Sequence, residues 1–201
     1  MESANQRSVV LGRSALLLAL SVALGGCLSF GAKPPPTLFR LTPASAPAAG
    51  AAVTGVVAEA LVVVEPETDR RLGVDRVPVQ INDSNVAYLK NAAWVERPAR
   101  LFRDLLAETL RARGRVVFTA DEEEAEGKRR LYGRLLDMGY DARQQAVVVR
   151  YDAVREGPGG TVATRRFEAV ERGVAATPAA VGPALNRAAN SVAAQVAAWV
   201  G

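Results

Sequence analysis

The sequence predicts an α/β fold: a single domain on a mixed β-sheet with an antiparallel meander, covered by two main amphipathic helices. Three observations carry this expectation. Leu101, Phe102, Leu105, Leu106 and Leu110 fall on one face of a helix, with Arg103, Asp104, Glu108 and Arg111 opposite. Val181, Leu185, Ala188, Val192, Val196 and Trp199 repeat at spacings of three and four, which puts them on one helical stripe. Between these helices lie three alternating segments joined by polar turns, the pattern of a meander. Helices mid-chain and at the end, with strands between them, favour a sheet covered by helices, and the meander makes that sheet mixed.

Each element follows from local chemistry. Thr37 to Thr42 alternates as a short strand, and residues 43–54 are almost all Ala, Pro, Gly and Ser, read as a mobile connection. Val56 to Val64, with three consecutive valines, reads as a strand buried on both faces and ended by Pro66. Val77 to Ile81 is a strand that Pro78 assigns to a sheet edge, because proline donates no ladder hydrogen bond. Asn82 to Asn85 is a turn cluster and Val86 to Leu89 returns, giving a hairpin. Pro98 suits the first turn of the next helix, and Gly114 its stop. Strands follow at Arg115 to Thr119, Leu131 to Met138, Gln144 to Asp152 and Thr161 to Glu171, with an acidic loop from Asp121 to Gly127. The second helix spans about Pro178 to Val200, its flanking alanines permitting close approach to the sheet.

The amino terminus has a different character. Arg7 and Arg13 precede the apolar run Ala15 to Leu24, and Leu24-Gly25-Gly26-Cys27 follows. Basic start, short apolar stretch and small residues make a secretory signal. The cysteine after two glycines makes it a lipobox, the pattern in which the thiol receives diacylglycerol and the chain is cut just before it. A transmembrane helix is the competing reading, but ten residues span about 15 Å and a bilayer needs roughly twenty. An ordinary cleaved signal is the other, and it leaves a free thiol in an oxidising compartment. The expected organisation is a signal peptide over 1–26, a lipidated tether over 27–36 attached through Cys27, and a domain over 37–201. Two or more acyl chains make a durable anchor. Leu28 and Ser29 after the cysteine lean toward the outer membrane. The proline-rich tether, about nine residues long, reaches roughly 30 Å.

Composition narrows the function. The full chain has 25 basic and 21 acidic residues, and loss of Arg7, Arg13 and Glu2 with the signal leaves a net charge of +3. The arginines are scattered and an exported protein meets no nucleic acid. With no histidine, Ser-His-Asp and Cys-His machinery and histidine-ligated zinc are excluded. An acylated Cys27 is no nucleophile, and neither a nucleophile elbow nor a phosphate-binding Walker loop occurs. Gly157 to Gly160 sits between strands and is a turn. The acidic run Asp121 to Glu126 lacks the spacing that wraps oxygens around calcium and reads as a solvated loop. No sequence feature pairs two carboxylates for hydrolysis. The chain reads as a non-enzyme with no cofactor and no metal.

Together these residues resemble the PqiC-like family of ABC-type transport auxiliary lipoproteins. The resemblance runs from about Thr37 to Trp199 and rests on the lipobox, Leu38-Phe-Arg-Leu41, Val62-Val-Val-Glu-Pro66, Leu72-Gly-Val-Asp-Arg76, Ala87-Tyr88, and Ala93-Trp94-Val-Glu-Arg-Pro98 opening the leucine-rich helix. The segment from Tyr88 to Pro98 is its most specific part. One departure is Lys128-Arg129-Arg130, where the family carries hydrophobic residues, and it bears on where the next strand begins. The resemblance implies an auxiliary subunit of a lipid transport system that maintains the envelope. An ATPase and permease in the inner membrane and a periplasmic MCE-domain protein would be its partners. It implies a docking module or collar at the outer membrane, with a homo-oligomer such as a symmetric ring fitting a collar. Tyr88 and Trp94 are then candidate partner anchors, or else a packed pair bracketing the hairpin and the helix start. A periplasmic lipid carrier is the alternative function.

Overall fold

The computed structural model describes residues 37–122 and 129–201. Its elements are β1 (Thr37–Phe39), β2 (Leu61–Val63), β3 (Arg76–Gln80), β4 (Val86–Trp94), α1 (Pro98–Arg111), β5 (Val117–Thr119), β6 (Arg129–Asp141), β7 (Ala146–Glu156), β8 (Val162–Arg172) and α2 (Pro178–Val200). All eight strands join one mixed sheet.

The long strand β6 is its spine. One edge of β6 carries β7 from Leu131 to Asp141, and β8 follows antiparallel outside β7. The opposite edge is shared: β2 lies parallel to its start, at Arg129 to Leu131, and β3 parallel to its end, at Tyr140 and Asp141. β5 lies beyond β2, and β4 and then β1 lie beyond β3. The expected α/β sheet with a meander and two helices is the observed architecture. Strand β6 begins at Arg129, so two of the three basic residues of the departing segment are already in the ladder.

Both helices bury their apolar stripes on one face of this sheet, in one continuous core. Phe102, Leu106 and Leu110 of α1 and Val181, Leu185, Val192 and Val196 of α2 are fully covered, as are Val147, Val149 and Tyr151 of β7. Phe102 meets the Tyr151 ring edge-on at 5.2 Å. The alanines at 184, 188, 189, 193 and 197 are fully buried, so α2 approaches the sheet closely through small side chains. Pro98 and Pro178 each stand in a first turn, where the missing N–H has no helical acceptor to lose. The end of α1 is closed by Gly114 at φ 79°, with the Gly114 amide donating to the Arg111 carbonyl and that of Arg115 to Leu110.

Four expectations are corrected. Strand β2 covers only Leu61–Val63, preceded by a single 3-10 turn at Val57–Glu59. Pro78 is not at an edge, because β3 runs between β4 and β6. The ladder to β6 starts one residue later, at Val79, and Gly139 faces Pro78 so closely that a Cβ there would lie 2.5 Å from the Pro78 carbonyl oxygen. The start of the segment after β1 is tied down: the amides of Thr42 and Ala44 donate to the side-chain oxygens of Asn186 and Asn190 at 2.8 and 2.7 Å. Arg103, expected on the solvated side of α1, is 7% exposed and pairs with Asp104 at 2.8 Å and Asp121 at 3.3 Å. Two carboxylates and the length of the side chain allow that burial. The acidic loop beyond Glu122 lies outside the described residues.

Candidate docking surface

Side chains alternate across a strand, so burial of Val147, Val149, Tyr151 and Ala153 under the helices sends Val148, Arg150, Asp152 and Val154 to the other face. No helix covers that face among the described residues. The strand register then aligns charges into rows. One row is Asp137–Arg150–Glu168, and the next is Arg134–Asp152–Arg166. Signs alternate along each row and between the two.

The rows are closed by ion pairs. Arg150 reaches Asp137 and Glu168, each at 2.5 Å. Arg166 grips Asp152 with two hydrogen bonds of 2.6 Å, and these bonds, with the guanidinium charge, hold Asp152 below the usual carboxylate range. Arg71 joins from the β2–β3 connection, 2.7 Å from Asp137 and 2.9 Å from Asp69, and it also donates to the Leu136 carbonyl. Burial lowers the Arg71 pKa, but its two aspartates outweigh burial and leave it raised.

Beside these rows runs a groove of about 310 Å³. Its floor is Pro78, Gly139 and Val148, and a Cβ at 139 would collide with Pro78. One wall is Arg71, Asp137 and Arg150, and the other is Asp83, Asp141, Arg143 and Gln144. Arg143 pairs with Asp83 at 2.7 Å. Burial pushes the Asp141 carboxyl up, but hydrogen bonds from Gln144 and Arg143 and the charge of Arg143 bring it below the ordinary carboxylate range. Each wall pairs its own arginines and aspartates, three of each in all, on either side of an apolar floor. That chemistry offers no nucleophile and no unpaired acid. It suits a protein surface with its own pattern of alternating charge.

Of the residues singled out from sequence, Tyr88 belongs to this face. It lies opposite Pro78 in the β3–β4 ladder, half-buried, with the Arg76 guanidinium 4.0 Å from its ring centroid. Trp94 is elsewhere. It is 2% exposed, meets Phe39 edge-on at 5.7 Å, and its indole N–H has no hydrogen-bond partner. Tyr88 and Arg76 are accessible on this face, and the Trp94 indole is not. The two aromatics also do not stack on one another: a bulge separates them, with Asn91 at φ 56°. Cys27, the expected lipid attachment point, lies outside the described residues. The charged rows were missed from sequence. Their signal is the spacing of two in Arg150/Asp152 and in Arg166/Glu168, which gains meaning only once the register of the meander is known.

Among the described residues, no three His, Cys, Asp or Glu side chains are grouped to hold a metal ion, and no helix is long and apolar enough to cross a membrane. Among curated proteins none matches the sequence. A crystal structure of an uncharacterized protein has a TM-score of 0.66 to this fold at 14% identity, covering 84% of this chain and 100% of that one. A crystal structure of a protein from Xanthomonas campestris has a TM-score of 0.61 at 18% identity, covering 83% of this chain and 92% of that one. At those identities the likeness is one of fold. The sequence itself matches, over residues 39–197, the model of a family described as the ABC-type transport auxiliary lipoprotein component, and the chain belongs to that family.

Proposed function

We propose that this protein is the non-catalytic, lipid-anchored auxiliary subunit of an ABC/MCE-type lipid transport system of the cell envelope. It is held at the outer membrane through acyl chains on Cys27 and docks through its uncovered sheet face onto a periplasmic MCE-domain protein. The family match over residues 39–197 carries this reading. The lipobox and the charge-patterned face at Tyr88 and the β6–β8 rows support it. A tether of about nine residues keeps the domain within roughly 30 Å of the bilayer, so the partner comes to the membrane.

The lipid-carrier alternative rests on one open cleft, lined by Leu41, Pro43, Val95, Leu101 and Leu105 between Arg40, Asp104 and Glu108. Three open clefts of about 300–410 Å³ lie among the described residues. The polar walls of the first, and Glu65, Glu67, Arg130 and Glu156 around the second, suit water better than an acyl chain. In-cell crosslinking and affinity purification of the lipidated protein, with mass spectrometry of proteins and lipids together, tests the proposal. Recovery of an MCE-domain protein with its permease is the expected result. Recovery of lipid without those proteins puts the carrier reading first.

A further inference from the structure

The end of the sheet that the tether joins has its own surface chemistry. β1 is the last strand on that side, and no other described strand pairs with its outer edge. Leu38 within it is 59% exposed, and Val95, whose amide donates to the Phe39 carbonyl, is 52% exposed. Beside these two apolar side chains along the chain stand Arg40, Lys90 and Arg97, all exposed and none in an ion pair with a described residue. The neighbouring carboxylates are already engaged: Glu96 with Arg100 at 3.9 Å, Asp104 with Arg103 at 2.8 Å and Glu108 with Arg111 at 2.9 Å. The β1 edge thus combines exposed apolar side chains with uncompensated positive charge. Val162 on β8 is similarly exposed but lies opposite Glu156 in the ladder.

We propose that this β1 edge rests on the anionic phospholipid surface of the bilayer that holds the anchor. Leu38 and Val95 enter the headgroup layer, and Arg40, Lys90 and Arg97 meet lipid phosphates. The inference rests on the reading of Cys27 as the lipid attachment point. The tether ends at Thr37, one residue before Leu38, so the edge stays within roughly 30 Å of the bilayer. A short tether makes the contact intramolecular, at an effective concentration on the order of millimolar. A contact too weak to recruit a free domain is therefore occupied in the anchored one. Lysine and arginine are drawn to an anionic leaflet, and the two aliphatic side chains add apolar burial in the interface.

Contact at this edge also sets the orientation of the domain. From β1 the sheet runs through β4, β3, β6 and β7 to β8. At about 4.8 Å per strand, β8 stands up to roughly 24 Å from the contacting edge. The charged rows of β6 to β8 then project away from the bilayer. The membrane covers the edge of the sheet and leaves its uncovered face open to a protein partner.

Spin labelling of the acylated protein tests the contact. Cys27 is the chain's only cysteine, so once it is acylated an introduced cysteine is the single labelling site. L38C, V95C and, as a reference, V162C are labelled and reconstituted in vesicles of phosphatidylcholine and phosphatidylglycerol. Mass spectrometry of the N-terminal peptide reports whether Cys27 is acylated. Labels at 38 and 95 are expected to be shielded severalfold from an aqueous nickel complex, whereas the label at 162 stays in water. R40E, K90E and R97E together are expected to weaken the contact by roughly 100-fold and return the label at 95 to water. The acyl chains keep this variant on the vesicle, and circular dichroism reports its fold. An unacylated Cys27 defeats the anchor reading and this proposal together. On an acylated protein, labels at 38 and 95 as accessible as that at 162 overturn this proposal alone, as does shielding indifferent to the three reversals.

Discussion

The two faces of strands β6, β7 and β8 are made from the same eleven-to-thirteen-residue segments and follow opposite rules. On the helix side Val147, Val149, Tyr151 and Phe167 are buried against Phe102 and the alanine-lined surface of α2, and no ion pair separates them. On the other side, one residue away along each strand, Arg150, Asp152, Arg166 and Glu168 are partly exposed and bonded to one another. The first face holds the fold together by removing apolar area from water. The second contributes little to stability, because exposed ion pairs are worth on the order of 0–1 kcal/mol each, but it fixes a pattern that another surface can read. Apolar burial and patterned charge are thus divided by the pleat.

The largest expected effect tests the covered face. Phe102→Ala leaves a cavity beside Tyr151 and is expected to cost about 3–5 kcal/mol in denaturant unfolding. A loss under 1 kcal/mol would mean the helix layer is not the source of stability. Next, Leu106→Ala on the same stripe is expected to cost about 2–5 kcal/mol. On the uncovered face the scale drops. Asp137→Asn removes the carboxylate that Arg71 and Arg150 share, and we expect a cost on the order of 1 kcal/mol, with impaired partner recovery. A cost equal to that of Phe102→Ala would erase the distinction between the faces.

The same distinction has a pH signature. Asp141 and Asp152 have folded pKa values below their unfolded ones, so their contribution is present above the unfolded value, near 4, and is lost as pH falls through the folded value. Unfolding free energy is therefore expected to decline below about pH 4, and less steeply in Asp141→Asn, which keeps the turn's acceptor oxygen but has no carboxyl to protonate. Equal slopes for the two proteins would contradict this. The smallest effect on stability, about 0.5–1 kcal/mol or less, is expected for Tyr88→Ala, whose ring is half-exposed under Arg76. Its expected consequence is loss of partner capture.

Much of the covered face was legible in the sequence because hydrophobic period reports it directly: both helices, the meander and the hairpin follow from spacings of two, three and four. The uncovered face was not. Arg150 and Glu168 are eighteen residues apart, and only the register of β7 against β8 brings them to 2.5 Å. Pro78 misled for a related reason, since its tolerance inside the sheet depends on Gly139, a residue with no local connection to it. Arg103 misled because the helical pattern places it outward, whereas Asp121 from the following loop meets it. Trp94 is resolved only by Phe39, fifty-five positions earlier, which seals it into the core. In each case the missing term was a tertiary neighbour.

The central claim is that the uncovered sheet face is where this auxiliary subunit docks. Photo-crosslinking residues placed at Tyr88 and Gln80, and for contrast at the exposed Ser191 and Ala198 on the outer side of α2, test it in cells most directly. Crosslinks to an MCE-domain protein from positions 88 and 80 but not from 191 and 198 are the predicted result. Crosslinks to that protein from the α2 positions alone would contradict the account.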